Sequence, residues 1–105
     1  MIALTPDTPY YAVIFTSLRT EGDHGYSDTA ILMEELSKKI DGFLGIESAR
    51  EEIGITVSYW SSLESIKTWK QQADHRIAQR KGRELWYSAF KVRICKVERD
   101  YEFSL

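Results

Sequence analysis

The segment from Tyr10 to Leu18, YYAVIFTSL, constrains the fold more than any other part of the chain. It is rich in β-branched and aromatic side chains, which favour a β-strand. Apolar residues stand at both odd and even positions of Ala12–Phe15, whereas a strand with one solvated face alternates apolar and polar residues. We therefore expect a strand that is covered on both faces, and the rest of the chain must supply those two layers.

Five further elements follow at short intervals, and their order predicts the topology. They are a helix capped at Ser27 and running to about Ile40, strands at Ile46–Arg50 and Ile53–Trp60, a helix opened by a Ser61–Glu64 capping box, and a strand at Trp86–Arg99. The order strand, helix, strand, strand, helix, strand is typical of a ferredoxin-like α+β fold. In that βαββαβ arrangement a four-stranded antiparallel sheet carries both helices on one face.

Composition sets the broad class of the protein. A chain of 105 residues is predicted to form a single domain, residues 1–105, with a thin core. The formal net charge of −2 gives no electrostatic reason to expect a nucleic acid or an anionic membrane as partner. Cys95 is the only cysteine, the opening MIALTPDTPYY does not resemble a signal peptide, and no apolar run is long enough to span a bilayer. The cytoplasm is therefore the expected location.

The second face of the predicted sheet carries no helix, yet the first strand places apolar residues there too. A large exposed apolar patch on a soluble protein usually marks an interface. We therefore expect a homodimer whose sheets stack face to face through this open face. The tail Asp100–Leu105 keeps Tyr101 and Phe103, which are candidates for contacts with the partner subunit.

The segment Trp60–Arg93 concentrates aromatic residues that predict one wall and the floor of a pocket. Its motifs SYWSSLESIKTWK, HRIAQ and GRELWY, followed by a VRI strand, resemble the antibiotic biosynthesis monooxygenase domain family of the dimeric α+β barrel superfamily. The resemblance covers nearly the whole chain. It includes the spacing of Trp60, Trp69, His75, Gln79, Arg83, Trp86 and Tyr87.

The resemblance implies a homodimer with a pocket in each subunit between the sheet and the helices. Some relatives oxidise polycyclic phenols to quinones with molecular oxygen and no metal or flavin, others degrade heme, and others act on small quinone-like molecules or isomerise lactones. The expected function is that of a cofactor-independent monooxygenase acting on a small aromatic, quinol-type compound. Such chemistry needs an apolar pocket that deprotonates the substrate and excludes water.

His75 and Arg83 are the candidate catalytic residues. An imidazole titrates near neutrality and could take a phenolic proton. An unbroken helix would place His75 away from the apolar stripe of Leu63, Ile66, Trp69 and Ala73, so only a break at Asp74 would turn it inward. A second short helix is predicted to end at Gly82. Arg83 would then cap its last carbonyls or reach a carboxylate or an oxyanion.

Four aromatic residues are candidates for binding the substrate, namely Trp60, Trp69, Trp86 and Tyr87. Each has a competing role as a packing residue. Trp86 and Tyr87 are adjacent in a predicted strand and therefore face opposite sides, so at most one of them should reach the pocket.

Two other functions stay open. Heme-degrading relatives need a helical His ten residues after the Trp that Trp69 matches, and an Asn on the first strand; here the counted position is Gln79, and Tyr10–Leu18 contains no Asn. Heme binding or degradation therefore ranks second, and a non-catalytic dimer that binds a small molecule or simply assembles is third. Two distant His and no clustered acids predict no metal site, and no cofactor is expected.

Overall fold

The computed structural model describes residues 1–80 and 83–105, with the backbone alone for 78–80. Its elements in chain order are β1 (Tyr10–Arg19), α1 (Tyr26–Ser37), β2 (Phe43–Arg50), β3 (Ile53–Trp60), α2 (Leu63–Arg80), α3 (Arg83–Trp86) and β4 (Tyr87–Val97). The four strands form one antiparallel sheet in the order β2, β3, β1, β4. The predicted ferredoxin-like α+β arrangement is therefore confirmed.

The pattern of β1 is explained by its central place in the sheet. Val13 lies opposite Ser58 on β3 and Ile94 on β4, and these three residues face the helices. The next residue, Ile14, points to the other side of the sheet, because successive side chains of a strand alternate between faces. Both faces of β1 therefore carry apolar side chains, and α1 and α2 cover only one of them.

The core lies under α2, where three buried residues meet. Trp60 at the end of β3 has no exposed surface and packs with Ile40 and Ile66. Its ring stacks on Trp69 at a centroid distance of 6.1 Å, and its indole N–H donates to the Ser58 hydroxyl at 2.8 Å. A large aromatic ring thus buries its apolar surface and satisfies its polar atom, the usual condition for a stable core tryptophan.

The first helix starts two residues earlier than a cap at Ser27 implies. Gly25 is the N-cap and adopts a left-handed φ of 82°, so α1 begins at Tyr26. The carboxylate of Asp23 accepts hydrogen bonds from the backbone N–H and the hydroxyl of Ser27. Ser27 therefore lies in the first turn of α1. The backbone N–H of this turn, which has no partner within the helix, donates to the Asp23 carboxylate from the preceding loop.

The same helix also ends earlier than predicted. It stops at Ser37, and Ile40 follows in a turn whose backbone N–H donates to the Ser37 carbonyl at 3.1 Å. Ile40 is nevertheless buried in the core. The helical spacing of Ile40 therefore correctly indicated that this residue is buried. It wrongly placed the end of the helix at Ile40.

The second helix is capped by Ser62, not by the predicted pair of Ser61 and Glu64. The Ser62 hydroxyl accepts the backbone N–H of Ser65 at 3.1 Å. Ser61 still belongs to the preceding turn, where its N–H donates to the Gly42 carbonyl at 2.8 Å. Gly42 has a φ of 95°, and a Cβ there would lie 2.1 Å from the Ser65 hydroxyl oxygen, so this turn requires glycine.

Helix α2 does not break at Asp74, and such a break was the condition for His75 to face inward. The helix continues through Asp74 and His75 to Arg80, and Leu63 at its start is exposed, so the buried stripe begins at Ile66. Gly82, where a short helix was predicted to end, lies outside the described residues. Within the part of the chain that the structure describes, no helix is long and apolar enough to cross a membrane.

The open face of the sheet is less bare than the sequence suggests. The Ala3 backbone N–H donates to a carboxylate oxygen of Glu47 at 2.8 Å, which holds the start of the chain against β2. The other carboxylate oxygen of Glu47 accepts the Tyr59 hydroxyl at 2.6 Å, and the Tyr10 hydroxyl donates to Asp100 at 2.5 Å. The two chain termini therefore cover one end of this face.

Candidate ligand-binding site

A cavity of about 410 Å³ lies between the helix-covered face of the sheet and the helices. It falls in the size range of small-molecule sites, which are mostly apolar with a few placed polar groups. Every element of the fold contributes to its lining, because the sheet forms its floor and α1, α2 and α3 form its walls. Representative lining residues are Val13, Met33, Ile46, Trp69 and Val92.

One end of the cavity is formed by Trp60, Trp69 and Ile66, which we call the tryptophan end. Trp69 is half-buried, and its ring is stacked on Trp60 at an interplanar angle of 25°. Trp60 contacts Phe43 on another edge at 5.3 Å. The tryptophan end therefore presents a flat wall that the core supports from behind.

The other end is an aromatic cluster of Phe15, Tyr26, Trp86, Tyr87 and Phe90, which we call the tyrosine end. Phe15 stacks on Phe90 and meets Tyr87 edge-on, both at 5.4 Å between ring centroids. Tyr26 contacts Tyr87 at 5.8 Å and Trp86 at 6.1 Å, again edge-on. Edge-to-face contacts fix ring orientation, so this cluster has a defined shape.

Trp86 and Tyr87 both line the cavity, contrary to the prediction that at most one would. Trp86 is the last residue of α3 and Tyr87 the first of β4, so strand alternation does not apply to the pair. The Trp86 indole N–H donates to the His24 carbonyl at 2.8 Å, and its own carbonyl accepts the Arg19 Nε–H at 2.9 Å. Trp86 therefore ties α3 to the loop before α1.

The hydroxyl of Thr29 is a buried polar group in the cavity wall. The residue is 2% exposed, and its Oγ1 atom has no hydrogen-bond partner among the described residues. A buried hydroxyl without a partner destabilises a fold by about 1 to 3 kcal/mol, so such groups usually have a reason to be there. A polar atom of a ligand would be one such reason.

An ion-pair cluster of Arg83, Asp74 and Lys70 reaches the cavity from α2 and α3. Asp74 accepts from Arg83 at 2.6 Å and from Lys70 at 3.1 Å. Partial burial acts to raise the pKa of the Asp74 carboxyl, but the hydrogen bonds from Arg83 and Lys70 outweigh it and hold that pKa below its ordinary value. Arg83 also lies 5.5 Å from the ring centroid of Phe90, so its charge is beside the aromatic floor.

His75 lies outside this site. It is exposed on the continuous helix α2, whereas Asp74 and Ile77 on the same helix line the cavity. The turn that would bring His75 inward is missing, because α2 does not break at Asp74. Of the two candidate catalytic residues, the structure therefore brings Arg83 to the cavity and leaves His75 on the surface.

The phenol of Tyr87 is held in its neutral form. Burial raises the pKa of Tyr87 far above its ordinary value of 10.0, and the neighbouring Tyr26 adds to the rise. Arg50 and Arg19 act in the opposite direction but do not reverse it. Tyr87 is therefore a hydrogen-bond donor at neutral pH and not a base.

Three polar groups of the site were not among the candidates from the sequence: Thr29, Asp74 and Tyr26. Thr29 carried one signal, since Thr29, Met33 and Ser37 recur every four residues along α1 and therefore share one face of the helix. Asp74 carried no signal, because its pairing with Arg83 depends on how α3 folds back. In residues 1–80 and 83–105, no three His, Cys, Asp or Glu side chains are arranged to hold a metal ion.

Comparison with known proteins identifies a relative of the chain. No model of a protein family matches its sequence. The chain is 47% identical to the uncharacterised protein YqjZ of Bacillus subtilis over an alignment of 104 residues. That alignment covers 97% of this chain and 91% of YqjZ. Similar solved structures include SnoaB, a cofactor-independent oxygenase from Streptomyces nogalater, with a TM-score of 0.66, 6% identity and coverage of 89% and 97% of the two chains.

A candidate antibiotic biosynthesis monooxygenase from Chloroflexus aurantiacus gives a TM-score of 0.61 at 16% identity, over 90% of this chain and 97% of that chain. Identities this low establish a shared fold, whereas the identity to YqjZ establishes common descent. The chain therefore belongs to the same family as YqjZ, and it shares its fold with SnoaB and with the candidate antibiotic biosynthesis monooxygenase from Chloroflexus aurantiacus.

Proposed function

We propose that the protein binds a small, planar phenol or quinol in the cavity and oxidises it with molecular oxygen, without a metal or a flavin. The observation that carries this proposal is the aromatic-lined cavity of about 410 Å³ in a fold shared with SnoaB, a cofactor-independent oxygenase. A ligand of two or three fused rings matches the cavity in size and in its flat, aromatic walls.

The reaction needs no protein redox group when the substrate supplies the electrons. A quinol loses two protons and two electrons to O₂, which leaves a quinone and hydrogen peroxide. In an anthrone-type phenol, an activated ring CH₂ instead loses a proton to give a stabilised carbanion, which then reacts with oxygen. The methylene and O₂ become a carbonyl and one water molecule, so the atoms and electrons balance. The protein must stabilise the anion, exclude bulk water and hold the ring.

Arg83 and Thr29 are the groups that we assign to the polar atoms of the ligand. The Arg83 guanidinium would stabilise the oxyanion that forms on deprotonation, since it lies beside the aromatic floor and is oriented by Asp74. A water molecule that reaches the cavity beside the Asp74 carboxylate, whose side chain is 44% exposed, would accept the proton and pass it to solvent. The unpartnered Thr29 hydroxyl would bond a second ligand oxygen.

The aromatic residues would bind the ring system. Trp69 provides the flat wall at the tryptophan end, while Trp60 supports it from the core, and Trp86 and Tyr87 shape the tyrosine end. Stacking of a ligand ring on an aromatic side chain contributes about 0.5 to 1.5 kcal/mol beyond the burial of its area.

A second candidate function is ligand binding without turnover, and the position of His75 favours it. The sequence offered His75 as the base, and the side chain lies outside the cavity. A site without a base can still bind an aromatic compound. In that case the protein would be a binding dimer with no oxygenase activity.

We also propose that the protein is a homodimer whose open sheet faces stack. Leu18, Ile53 and Ile55 are exposed on that face, and exposed apolar patches of this kind usually meet a partner. Tyr101 and Phe103 are almost fully exposed in the tail that follows β4. Light scattering should give about twice 12.2 kDa. A folded monomer at micromolar concentration, or no effect of Ile55→Asp on the mass, would argue against this dimer.

The test of the proposed function measures binding and turnover together. Anthrones, hydroxynaphthoquinones and naphthohydroquinones are screened by thermal shift, and oxygen uptake is recorded for every compound that stabilises the protein. Arg83→Gln should lower the rate by about tenfold or more, as expected when one donor to a developing oxyanion is lost. The matched surface variant His75→Ala should leave the rate unchanged.

Three outcomes separate the candidates. Binding with Arg83-dependent oxygen uptake supports the oxygenase. Binding without uptake above the protein-free control supports the non-catalytic binding protein. Turnover that depends on His75 but not on Arg83 would restore the role predicted from sequence and refute the assignment made to the cavity.

A further inference from the structure

A second hollow of about 280 Å³ adjoins the tyrosine end of the main cavity. The two share Phe15, Tyr26, Ser48, Thr56 and Tyr87 in their linings. A ligand ring that rests on the aromatic cluster can therefore extend a substituent into this hollow.

Arg50, the last residue of β2, supplies the charge of the hollow. Its guanidinium donates one hydrogen bond to the hydroxyl of the buried Ser17 and another, at 3.4 Å, to the Ser17 carbonyl oxygen. It lies over Gly54, where a Cβ would be 2.1 Å from the Arg50 Cζ atom. Gly54 and Ser17 thus hold the guanidinium across the helix-covered face of the sheet.

Among the described residues, no acidic side chain forms an ion pair with Arg50. The ion pairs among the described residues all involve Asp74, and none of the residues described around the hollow is acidic. A guanidinium has five N–H donors, and the described residues accept two hydrogen bonds from Arg50. Arginine presents its remaining donors as a planar fork that matches a carboxylate.

We propose that Arg50 forms an anion subsite that binds a carboxylate group carried on the aromatic ligand. The ring would lie on Phe15 and Tyr87, and the carboxylate would reach Arg50 through the second hollow. This inference rests on the proposed function, because it needs the aromatic part of the ligand in the main cavity. It narrows the ligand to aromatic carboxylic acids.

The test compares 3-hydroxy-2-naphthoic acid with its methyl ester, which has the same ring and phenol but no charge. Dissociation constants are measured at pH 7 by quenching of tryptophan fluorescence. The wild-type protein should bind the acid at least about tenfold more tightly than the ester, since charge-assisted hydrogen bonds are the stronger class. Arg50→Gln should reduce that preference to about twofold or less, with the ester bound as before.

Two controls isolate the role of Arg50. Arg76→Gln removes an exposed positive charge from α2 and should leave the preference intact. Arg50→Lys keeps the charge without the fork and should keep part of the preference. If Arg50→Gln does not fold, the preference of the wild type should still shrink between about 20 and about 500 mM salt, because a partly exposed charge is screened.

Each result decides the matter. Equal binding of acid and ester by the wild type, or a preference that survives Arg50→Gln, overturns the anion subsite and leaves the aromatic cavity in place. Failure of both compounds to bind overturns the subsite together with the proposed function.

Discussion

The two ends of the cavity are built from the same kinds of residue and differ in what surrounds them. At the tryptophan end, Trp60 is completely buried and packs on Ile40 and Ile66. At the tyrosine end, Phe90 keeps 43% of its surface exposed, and the guanidinium of Arg19 lies 3.6 Å from the ring centroid of Tyr26. Trp60 thus belongs to the core at one end, whereas Phe90 at the other end keeps surface that a ligand can cover.

The largest expected effect tests the tryptophan end as the core. Trp60→Ala should lower the free energy of unfolding by about 3 to 5 kcal/mol, the cost of emptying a buried aromatic site. Phe90→Ala should cost less than about half as much, because its ring is already partly solvated. Urea unfolding at pH 7 measures both. Equal losses of unfolding free energy in Trp60→Ala and Phe90→Ala would show that the two ends contribute equally to the core.

Trp69 should show an intermediate effect, since it belongs to both the core and the cavity wall. Because it is half-buried, Trp69→Ala should cost about 2 kcal/mol in unfolding free energy and leave the mass by light scattering unchanged. The variant should also lose the part of the ligand quenching of tryptophan fluorescence that comes from Trp69, while Trp86 is still quenched. A folded variant that still shows full quenching would mean that the ligand does not touch this wall.

Alkaline pH should weaken the tyrosine end through Tyr87. Its pKa is raised in the folded protein, so its contribution to stability is complete below the ordinary value of 10.0 and is lost as the pH rises above it. At one pH unit above that value the loss is about 1.4 kcal/mol. Tyr87→Phe, compared with the wild type in urea titrations at pH 8 and pH 11, should remove this part of the loss. If Tyr87→Phe and the wild type lost the same unfolding free energy between pH 8 and pH 11, Tyr87 would not be the source of the loss.

The smallest effect concerns Asp74. Its pKa is lowered in the folded protein, so its ion pairs stabilise the fold above the ordinary value of 3.8 and cease to do so as the pH falls through the folded value. The side chain is 44% exposed, so the contribution should stay below about 1 kcal/mol. Asp74→Asn should be slightly less stable than the wild type at pH 6, and the difference should shrink as the pH falls below the ordinary value of 3.8. A difference that persists in acid would have another cause.

The fold followed from patterns that are local in the sequence. Strand β1 was recognised with its end one residue short, and its double apolar pattern matches the apolar side chains on both faces of the sheet, while a second layer on the open face stays a prediction. Helix ends were less predictable, because several serines compete for each cap. Ser62 and not Ser61 caps α2, since Ser61 is still held by the turn at Gly42.

The candidate site was only partly predictable. Trp69 was placed correctly on the inner side of α2 because helical periodicity determines that side. His75 depended on a break that no residue enforces, so the helix simply continued. The pairing of Asp74 with Arg83 and that of Arg50 with Ser17 join separate elements and leave no mark on sequence spacing. Thr29 had one signal, its helical spacing with Met33.

The most direct test of the cavity as a ligand site uses the three tryptophans as reporters. Each indole N–H gives its own NMR signal, and a hydroxynaphthalene ligand is titrated into ¹⁵N-labelled protein. We predict large shifts for Trp69 and Trp86, a smaller one for Trp60 behind the wall, and none for the ring protons of His75. Unchanged indole signals, or shifts confined to His75 and the open face of the sheet, would contradict an aromatic ligand site in this cavity.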